Sequence, residues 1–146
     1  MASRKPINVE YKTLVLLWFA LLSSQILFLV LVYFVKPELF TSDASRSIFA
    51  DKPLITLVFG AIALVFLILS FVLSRQHMRR AARDKDAGCV QTGLVLGCAL
   101  SEVSSILGLV LAFAFSHPYF YLWIILGAVG VLLHFPRKDT LDAAMQ

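Results

Sequence analysis

The sequence predicts an all-α integral membrane protein with four transmembrane helices and both termini in the cytoplasm. Three observations lead to this fold class. Hydrophobic residues make up 60% of the 146 positions, whereas soluble globular domains contain about 45–50%. Long apolar stretches recur along the chain, each bounded by polar or basic residues. The basic residues are concentrated in alternate connections, which is the pattern of a protein that crosses a bilayer several times.

The apolar stretches give the bounds of the predicted helices. A helix needs about 20 predominantly apolar residues to cross the hydrocarbon core, and residues 14–35, 53–74 and 89–116 meet that length. The stretch 119–135 is also apolar, and its length is near the lower limit for a helix that spans a membrane. Four such helices occupy most of the chain, which predicts one membrane domain over residues 1–146.

The first helix follows three basic residues, Arg4, Lys5 and Lys12, as the apolar core of a signal peptide would. Its apolar run is longer than the roughly 7–15 residues of such a core, and no small-residue cleavage site follows it. We therefore expect it to be retained as a membrane helix.

The second helix lies between the two longest connections. The connection before it has turn-forming residues in its middle and a short stretch, SIFA, that suits an interfacial helix. The connection after it contains good helix formers, so the second helix can extend beyond the membrane.

The third helix carries a stripe of small residues at helical spacing. The stripe consists of Gly93, Gly97, Ser101, Ser104, Gly108 and Ala112. Small residues four positions apart let a second helix approach closely. We therefore predict that the third helix packs against a neighbour through Gly93, Gly97, Ser101 and Gly108.

Glu102 places an ionisable side chain close to the midpoint of this otherwise largely apolar helix. A charge at the bilayer centre costs at least about 2.5–3.5 kcal/mol on insertion scales, so we expect Glu102 to carry its proton at neutral pH. Ser24 and Gln25 lie at the same depth on the first helix. They are the predicted hydrogen-bond partners from another helix, and Ser101 and Ser105 are the local ones.

Three roles remain open for this carboxyl group. It can form a hydrogen bond that fixes the register of two helices, or it can load and release a cation. It can also belong to a site that other subunits or a cofactor complete. Intramembrane carboxyl groups are expensive to insert, and they commonly mark ion pathways.

The fourth helix follows the turn Ser-His-Pro, in which Pro118 interrupts the helical backbone. So short a turn predicts an antiparallel hairpin of the third and fourth helices. Tyr119, Tyr121 and Trp123 then form an aromatic belt at that membrane surface.

The positive-inside rule gives the predicted orientation. Of the 13 Lys and Arg residues, Lys36, Arg46 and Lys52 lie in the first connection, and the other ten lie at the N-terminus, after the second helix and in the tail. Both termini are therefore predicted to be cytoplasmic, in what we take to be the bacterial inner membrane. The same rule accounts for the basic run RQHMRRAARDK, so no nucleic-acid partner is predicted.

The remaining reactive side chains do not indicate an enzyme. Cys89 and Cys98 are about 13 Å apart on one helix, beyond the reach of a disulfide. His117 and His134 are predicted at opposite membrane faces, so they do not share a metal. No catalytic triad and no phosphate-binding loop occur. We predict no metal and no cofactor, although the sequence leaves open whether either histidine contacts a haem or pigment.

The stretch RDKDAGCVQTGLVLGCALSEVSSILGLVLAF, residues 83–113, resembles the loop and second helix of the ATP synthase rotor-ring subunit c. Arg83 matches the loop arginine of that family, and Glu102 matches its ion-carrying carboxylate. Ser104 and Ser105 lie where sodium-carrying members have hydroxyl groups. The resemblance covers about a quarter of the chain. The Gln-Pro of the family's loop is replaced here by Asp-Lys, and the second helix lacks the family's repeated glycines.

The resemblance implies a proton or sodium translocation component in which Glu102 carries the ion, with Gln25, Ser24 and Ser105 around it. The alternative is a non-catalytic accessory or scaffold subunit of a larger respiratory or photosynthetic membrane complex. Both functions predict the lipid bilayer as one partner, and other membrane subunits or further copies of this chain as others.

Overall fold

The computed structural model describes residues 10–41 and 52–145, and this part of the chain contains helices and no β-strand. The helices are α1 Tyr11–Val35, α2 Pro53–Asp84, α3 Ala87–Phe115, α4 Tyr121–Leu133 and α5 Lys138–Met145, with a 3₁₀ helix at Pro37–Phe40. Three of them, α1, α2 and α3, are long and apolar enough to cross a membrane, and α4 is a shorter apolar helix. The all-helical fold of the prediction is confirmed, and the three long apolar helices are compatible with an integral membrane protein.

The second helix is longer than the predicted 53–74. It continues through the basic connection to Asp84, because Arg, Gln, Met and Ala are good helix formers in water. It ends at Lys85, which has a positive φ of 51°. Asp86 then caps α3, since its side chain accepts a hydrogen bond of 2.9 Å from the Gly88 N–H.

The fourth helix is shorter than the predicted 119–135. Its 13 residues, Tyr121–Leu133, span only about 20 Å, whereas the hydrocarbon core is about 30 Å thick. Pro118 and the turn that follows it delay the start of the helix, and the chain leaves helical geometry at His134, shortly before Pro136. The tail then forms α5, which the sequence did not predict, and the SIFA stretch lies outside the described residues.

The four apolar helices alternate in direction. Tyr11 at the start of α1 donates a hydrogen bond to the Pro136 carbonyl, 3.3 Å away, and Trp18 donates to the Val131 carbonyl at 2.8 Å. The start of α1, the α2–α3 link and the tail therefore lie at one end of the bundle. We call this end the basic end, because Arg75, Arg79, Arg80, Arg83, Lys85, Arg137 and Lys138 belong to it.

Helix α3 is the centre of the bundle, since its contacts with α2, α4 and α1 are the most extensive in the described structure. Buried apolar side chains form two separate clusters along it. One cluster, at the basic end, includes Leu14, Leu94 and Val131. The other, at the opposite end, includes Leu111, Phe120 and Ile124. The height between them is occupied by polar side chains, and Glu102 lies at that height.

Two lysines cap the far end of α3. The last carbonyl groups of a helix lack partners within the helix, and here Lys36 Nζ donates to the carbonyls of Ala112 and Phe113 at 3.2 and 3.1 Å. Lys36 also donates to Ser116 Oγ at 2.7 Å, and Lys52 Nζ donates to the Phe115 carbonyl at 3.2 Å. The cations thus tie α1 and the start of α2 to the negative end of the α3 dipole.

We expect Lys36→Met to lower the free energy of unfolding by about 1–3 kcal/mol, because it removes charge-assisted hydrogen bonds and keeps the apolar stem. Thermal unfolding in detergent measures this change. Lys12→Met is the matched control, since Lys12 is exposed on the same helix. Equal melting temperatures for the two variants would show that the cap contributes nothing.

Candidate functional site

A layer of buried polar side chains crosses the bundle at the height of Glu102. Gln25 is 2% exposed, and Ser70, Ser101, Ser104 and Ser105 are fully buried. These residues come from α1, α2 and α3, and they separate the two apolar clusters. Buried polar groups are stable only when they are hydrogen-bonded, and each of these side chains has at least one partner.

The predicted partners of Glu102 lie beside it. Ser24 Oγ is 2.6 Å from Glu102 Oε1, and Gln25 Nε2 is 3.4 Å from the same oxygen. Gln25 Nε2 is also 3.3 Å from Ser24 Oγ. Ser24 and Gln25, which lie at the depth of Glu102 in the sequence, are therefore its neighbours on α1. The predicted local partners differ, because Ser101 and Ser105 make their hydrogen bonds elsewhere in the layer.

Hydrogen counting at Ser24 bears on the protonation of Glu102. Ser24 Oγ lies 2.6 Å from the Leu21 carbonyl oxygen as well as 2.6 Å from Glu102 Oε1. A hydroxyl group donates one hydrogen, so Ser24 satisfies only one of these two acceptors. If Glu102 is protonated, it donates to Ser24 and Ser24 donates to Leu21. If Glu102 is ionised, one of the two close oxygen pairs has no hydrogen between its atoms.

Gln25 links the carboxyl group to the next part of the layer. Its amide nitrogen is directed towards Glu102, and its carbonyl oxygen accepts a hydrogen bond from Ser105 Oγ. Ser105 is also 3.4 Å from the Ile124 carbonyl on α4, and Ser104 donates to the Trp123 carbonyl at 3.0 Å. The layer thus connects α1, α3 and α4 through hydrogen bonds at one depth.

The small residues of α3 lie against two different helices. A Cβ atom at Gly93 would be 2.8 Å from His77 Cβ on α2, and one at Gly108 would be 2.9 Å from the Phe120 carbonyl oxygen. Gly97 lies against both His134 and Ser74. Ser101 Oγ donates to the Gly97 carbonyl at 2.9 Å and lies 3.3 Å from Ser70 Oγ on α2.

Glu102 lies beside this packing surface and is half-buried. Its contacts to Ser24 and Gln25 place it between α3 and α1, whereas the small residues face α2 and α4. The carboxyl group is therefore held by hydrogen bonds without being sealed inside the protein.

Sequence reasoning missed the glycines of α4. Gly127 accommodates Ser105, and a Cβ atom at Gly130 would be 2.7 Å from both Ser101 Cβ and Ser101 Oγ. Two glycines three positions apart share one helix face, and this spacing could have predicted a close-packed face on α4. The residues that pack against these glycines could not be predicted from the sequence, because the pairing depends on how α3 and α4 cross. Ser70 was missed for the same reason.

The histidines have structural contacts. His117 Nε2 is 3.0 Å from Thr56 Oγ1, and its Nδ1 accepts from the Tyr119 N–H at 3.3 Å. His134 Nδ1 is 2.7 Å from the Gly130 carbonyl, and its ring stacks on Phe71. His134 Nε2 would be 2.6 Å from a Cβ atom at Gly97, so the ring packs directly against α3. Among residues 10–41 and 52–145, no three metal-ligating side chains cluster.

Comparison with known proteins gives no family. No protein-family model matches the chain, and no curated protein or solved structure is significantly similar to it. The function must therefore be argued from the polar layer itself.

Proposed function

We propose that this chain is a membrane protein that takes part in proton translocation, and that Glu102 loads and releases the proton. The observation that carries the proposal is the pair of 2.6 Å contacts at Ser24, to the Leu21 carbonyl and to Glu102 Oε1. Both contacts have a hydrogen only when the carboxyl group is protonated. The resting site is then electrically neutral, which suits its depth in the bilayer.

The half-buried position of Glu102 supports a carrier over a purely structural hydrogen bond. Gln25 and Ser105 are almost completely buried, whereas part of Glu102 remains accessible. A carrier must exchange its proton with an aqueous path or with a partner subunit, and an accessible carboxyl group allows that exchange. A cationic or hydrated surface that approaches Glu102 would favour its ionised form and release the proton.

The arrangement favours a proton over sodium. A sodium ion needs several oxygen ligands, since hard cations bind carboxylate, carbonyl and hydroxyl oxygens. Gln25 presents its amide nitrogen to Glu102 and keeps its oxygen for Ser105. The Gln25 oxygen is therefore directed towards Ser105 and away from Glu102, where a sodium site would require it.

Proton flux into proteoliposomes tests the proposal. A potassium diffusion potential drives proton uptake, which an internal pH dye reports. We expect Glu102→Gln to lower the rate of the wild-type protein by about tenfold or more, because the amide keeps the size of the side chain and a donor for Ser24 but has no acidic proton to release.

Ser23→Ala is the matched control for this experiment. Ser23 lies next to Ser24 but donates to the Phe19 carbonyl at 2.8 Å, so its removal should leave the flux unchanged. Equal rates for the wild-type protein and Glu102→Gln would overturn the carrier proposal. Glu102 would then only fix helix register, and the accessory-subunit function would be favoured.

We also propose that the basic end of the bundle faces the cytoplasm of a bacterial cell, so that both termini are cytoplasmic. The support is the concentration of Lys and Arg at that end. The wide apolar surfaces of α1 and α2, which include Phe19, Leu27 and Leu57, suit lipid, further copies of the chain, or other membrane subunits.

A further inference from the structure

A cavity opens at the basic end of the bundle, between α2, α3 and the segment that joins α4 to α5. Its volume is about 270 Å³. Arg75 lines it from α2, and Arg137 and Thr140 line it from the tail. The rest of the lining is mainly apolar and includes Phe71, Leu94 and Leu133, together with the polar residues Ser74 and His134. The cavity is separate from the polar layer around Glu102.

The two arginines give the cavity an unbalanced positive charge. Both side chains are exposed, and no Asp or Glu lines the cavity. Within the described residues, the sole ion pair joins Arg83 and Asp84, so neither Arg75 nor Arg137 is neutralised by a neighbour there. A guanidinium group offers several donors in a planar arrangement that matches a phosphate group.

The position of the cavity along the bundle indicates the kind of anion. Arg75 directly follows the apolar stretch 53–74, and Arg137 follows the end of α4 by four positions. The arginines therefore lie where the hydrocarbon region gives way to the headgroup region. Lipid phosphates occupy that depth, and their glycerol and first methylene groups lie just below it.

We propose that this cavity binds the headgroup of an anionic phospholipid. The phosphate accepts charge-assisted hydrogen bonds from Arg75 and Arg137, and Thr140 supplies a hydroxyl donor. The glycerol and upper acyl carbons pack against Phe71, Leu94 and Leu133. A zwitterionic lipid binds less well, because its choline group is repelled by the two arginines.

Lipid titration of the purified full chain tests this site. The protein in neutral detergent receives increasing mole fractions of phosphatidylglycerol or phosphatidylcholine, and the melting temperature is recorded. We expect a saturable rise with phosphatidylglycerol and a smaller rise with phosphatidylcholine. The double variant Arg75→Gln/Arg137→Gln should need about tenfold more phosphatidylglycerol for half of the effect, since it loses two charge-assisted contacts.

A control variant with the same loss of charge separates a site from general attraction to anionic lipid. Arg79→Gln/Lys138→Gln removes two exposed cations from the same end, and neither residue lines the cavity. This control variant should need the same amount of phosphatidylglycerol as the wild-type protein for half of the rise in melting temperature. Equal weakening in both double variants would overturn the proposal, as would equal effects of the two lipids on the wild-type protein.

Inorganic phosphate and glycerol phosphate distinguish a lipid from a soluble phosphate. Neither should raise the melting temperature, because neither has the acyl chains that fill the apolar part of the cavity. If either compound reproduces the phosphatidylglycerol effect, and Arg75→Gln/Arg137→Gln abolishes it, the cavity is a soluble-phosphate site and the lipid proposal is wrong.

Discussion

Replacing Gly127 with alanine should destabilise the bundle more than any other single-methyl addition on α4. The new Cβ atom would overlap Ser105 Oγ, and it would lie 3.0 Å from the Ser101 carbonyl oxygen and 3.1 Å from the Ser105 nitrogen. Rotation of Ser105 would relieve only the overlap with its hydroxyl, at the cost of its hydrogen bond to Gln25, whereas the other two atoms belong to the α3 backbone and remain in tight contact. The helices must separate, and we expect the free energy of unfolding to fall by about 1–3 kcal/mol.

The measurement is the unfolding of purified protein in detergent, with Gly60→Ala as the control. At Gly60 the nearest atom to an added Cβ is Trp123 Cζ2, 4.0 Å away. That variant should be as stable as the wild-type protein or slightly more stable, because alanine favours a helix over glycine. If Gly127→Ala and Gly60→Ala have the same melting temperature, α3 and α4 do not approach each other as described.

The second large effect is expected from Glu102→Leu. Leucine removes the carboxyl partner of Ser24 and Gln25, and it leaves the Gln25 amide nitrogen with Ser24 Oγ, 3.3 Å away, as its remaining contact. We expect a loss of about 1–2 kcal/mol or less, because interhelical hydrogen bonds in membranes contribute amounts of that size. Glu102→Gln should lose less stability than Glu102→Leu, since its amide nitrogen can still donate a hydrogen bond to Ser24.

A double-mutant cycle with Gln25→Leu gives the coupling between the two positions directly. If the hydrogen bond between Glu102 and Gln25 exists, Glu102→Leu should cost less once Gln25 has already been replaced, because only the contact with Ser24 is then lost. Additive losses would show that the two side chains act independently. The cycle concerns stability alone, so its outcome is separate from that of the proton-flux assay.

The sequence was sufficient to find the neighbours of Glu102, because a helix has a fixed rise per residue. Two membrane helices of known length therefore place Ser24 and Gln25 at the depth of Glu102. The extension of α2 beyond residue 74 was also predictable, since the residues that follow are helix formers. Both features follow from properties of a single helix, namely its rise per residue and the helix propensity of its residues.

The parts that were not predictable depend on how two helices meet. The pairing of Gly127 with Ser105, and of Gly130 with Ser101, is set by the crossing of α3 and α4. The short α4 follows from the turn around Pro118 and from the tail, which folds into α5. Hydropathy alone extends an apolar run to its last apolar residue, so it placed the ends of this helix too far apart.

The central claim is that Glu102 holds a proton within the polar layer at neutral pH, and infrared titration of the carboxyl group tests it most directly. The protein in lipid is titrated across neutral pH, and the Glu102→Gln spectrum is subtracted to isolate this one group. Our account predicts a protonated-acid carbonyl band at pH 7, shifted by its hydrogen bonds and absent from Glu102→Gln. A carboxylate band at pH 7 that disappears in Glu102→Gln would contradict the account.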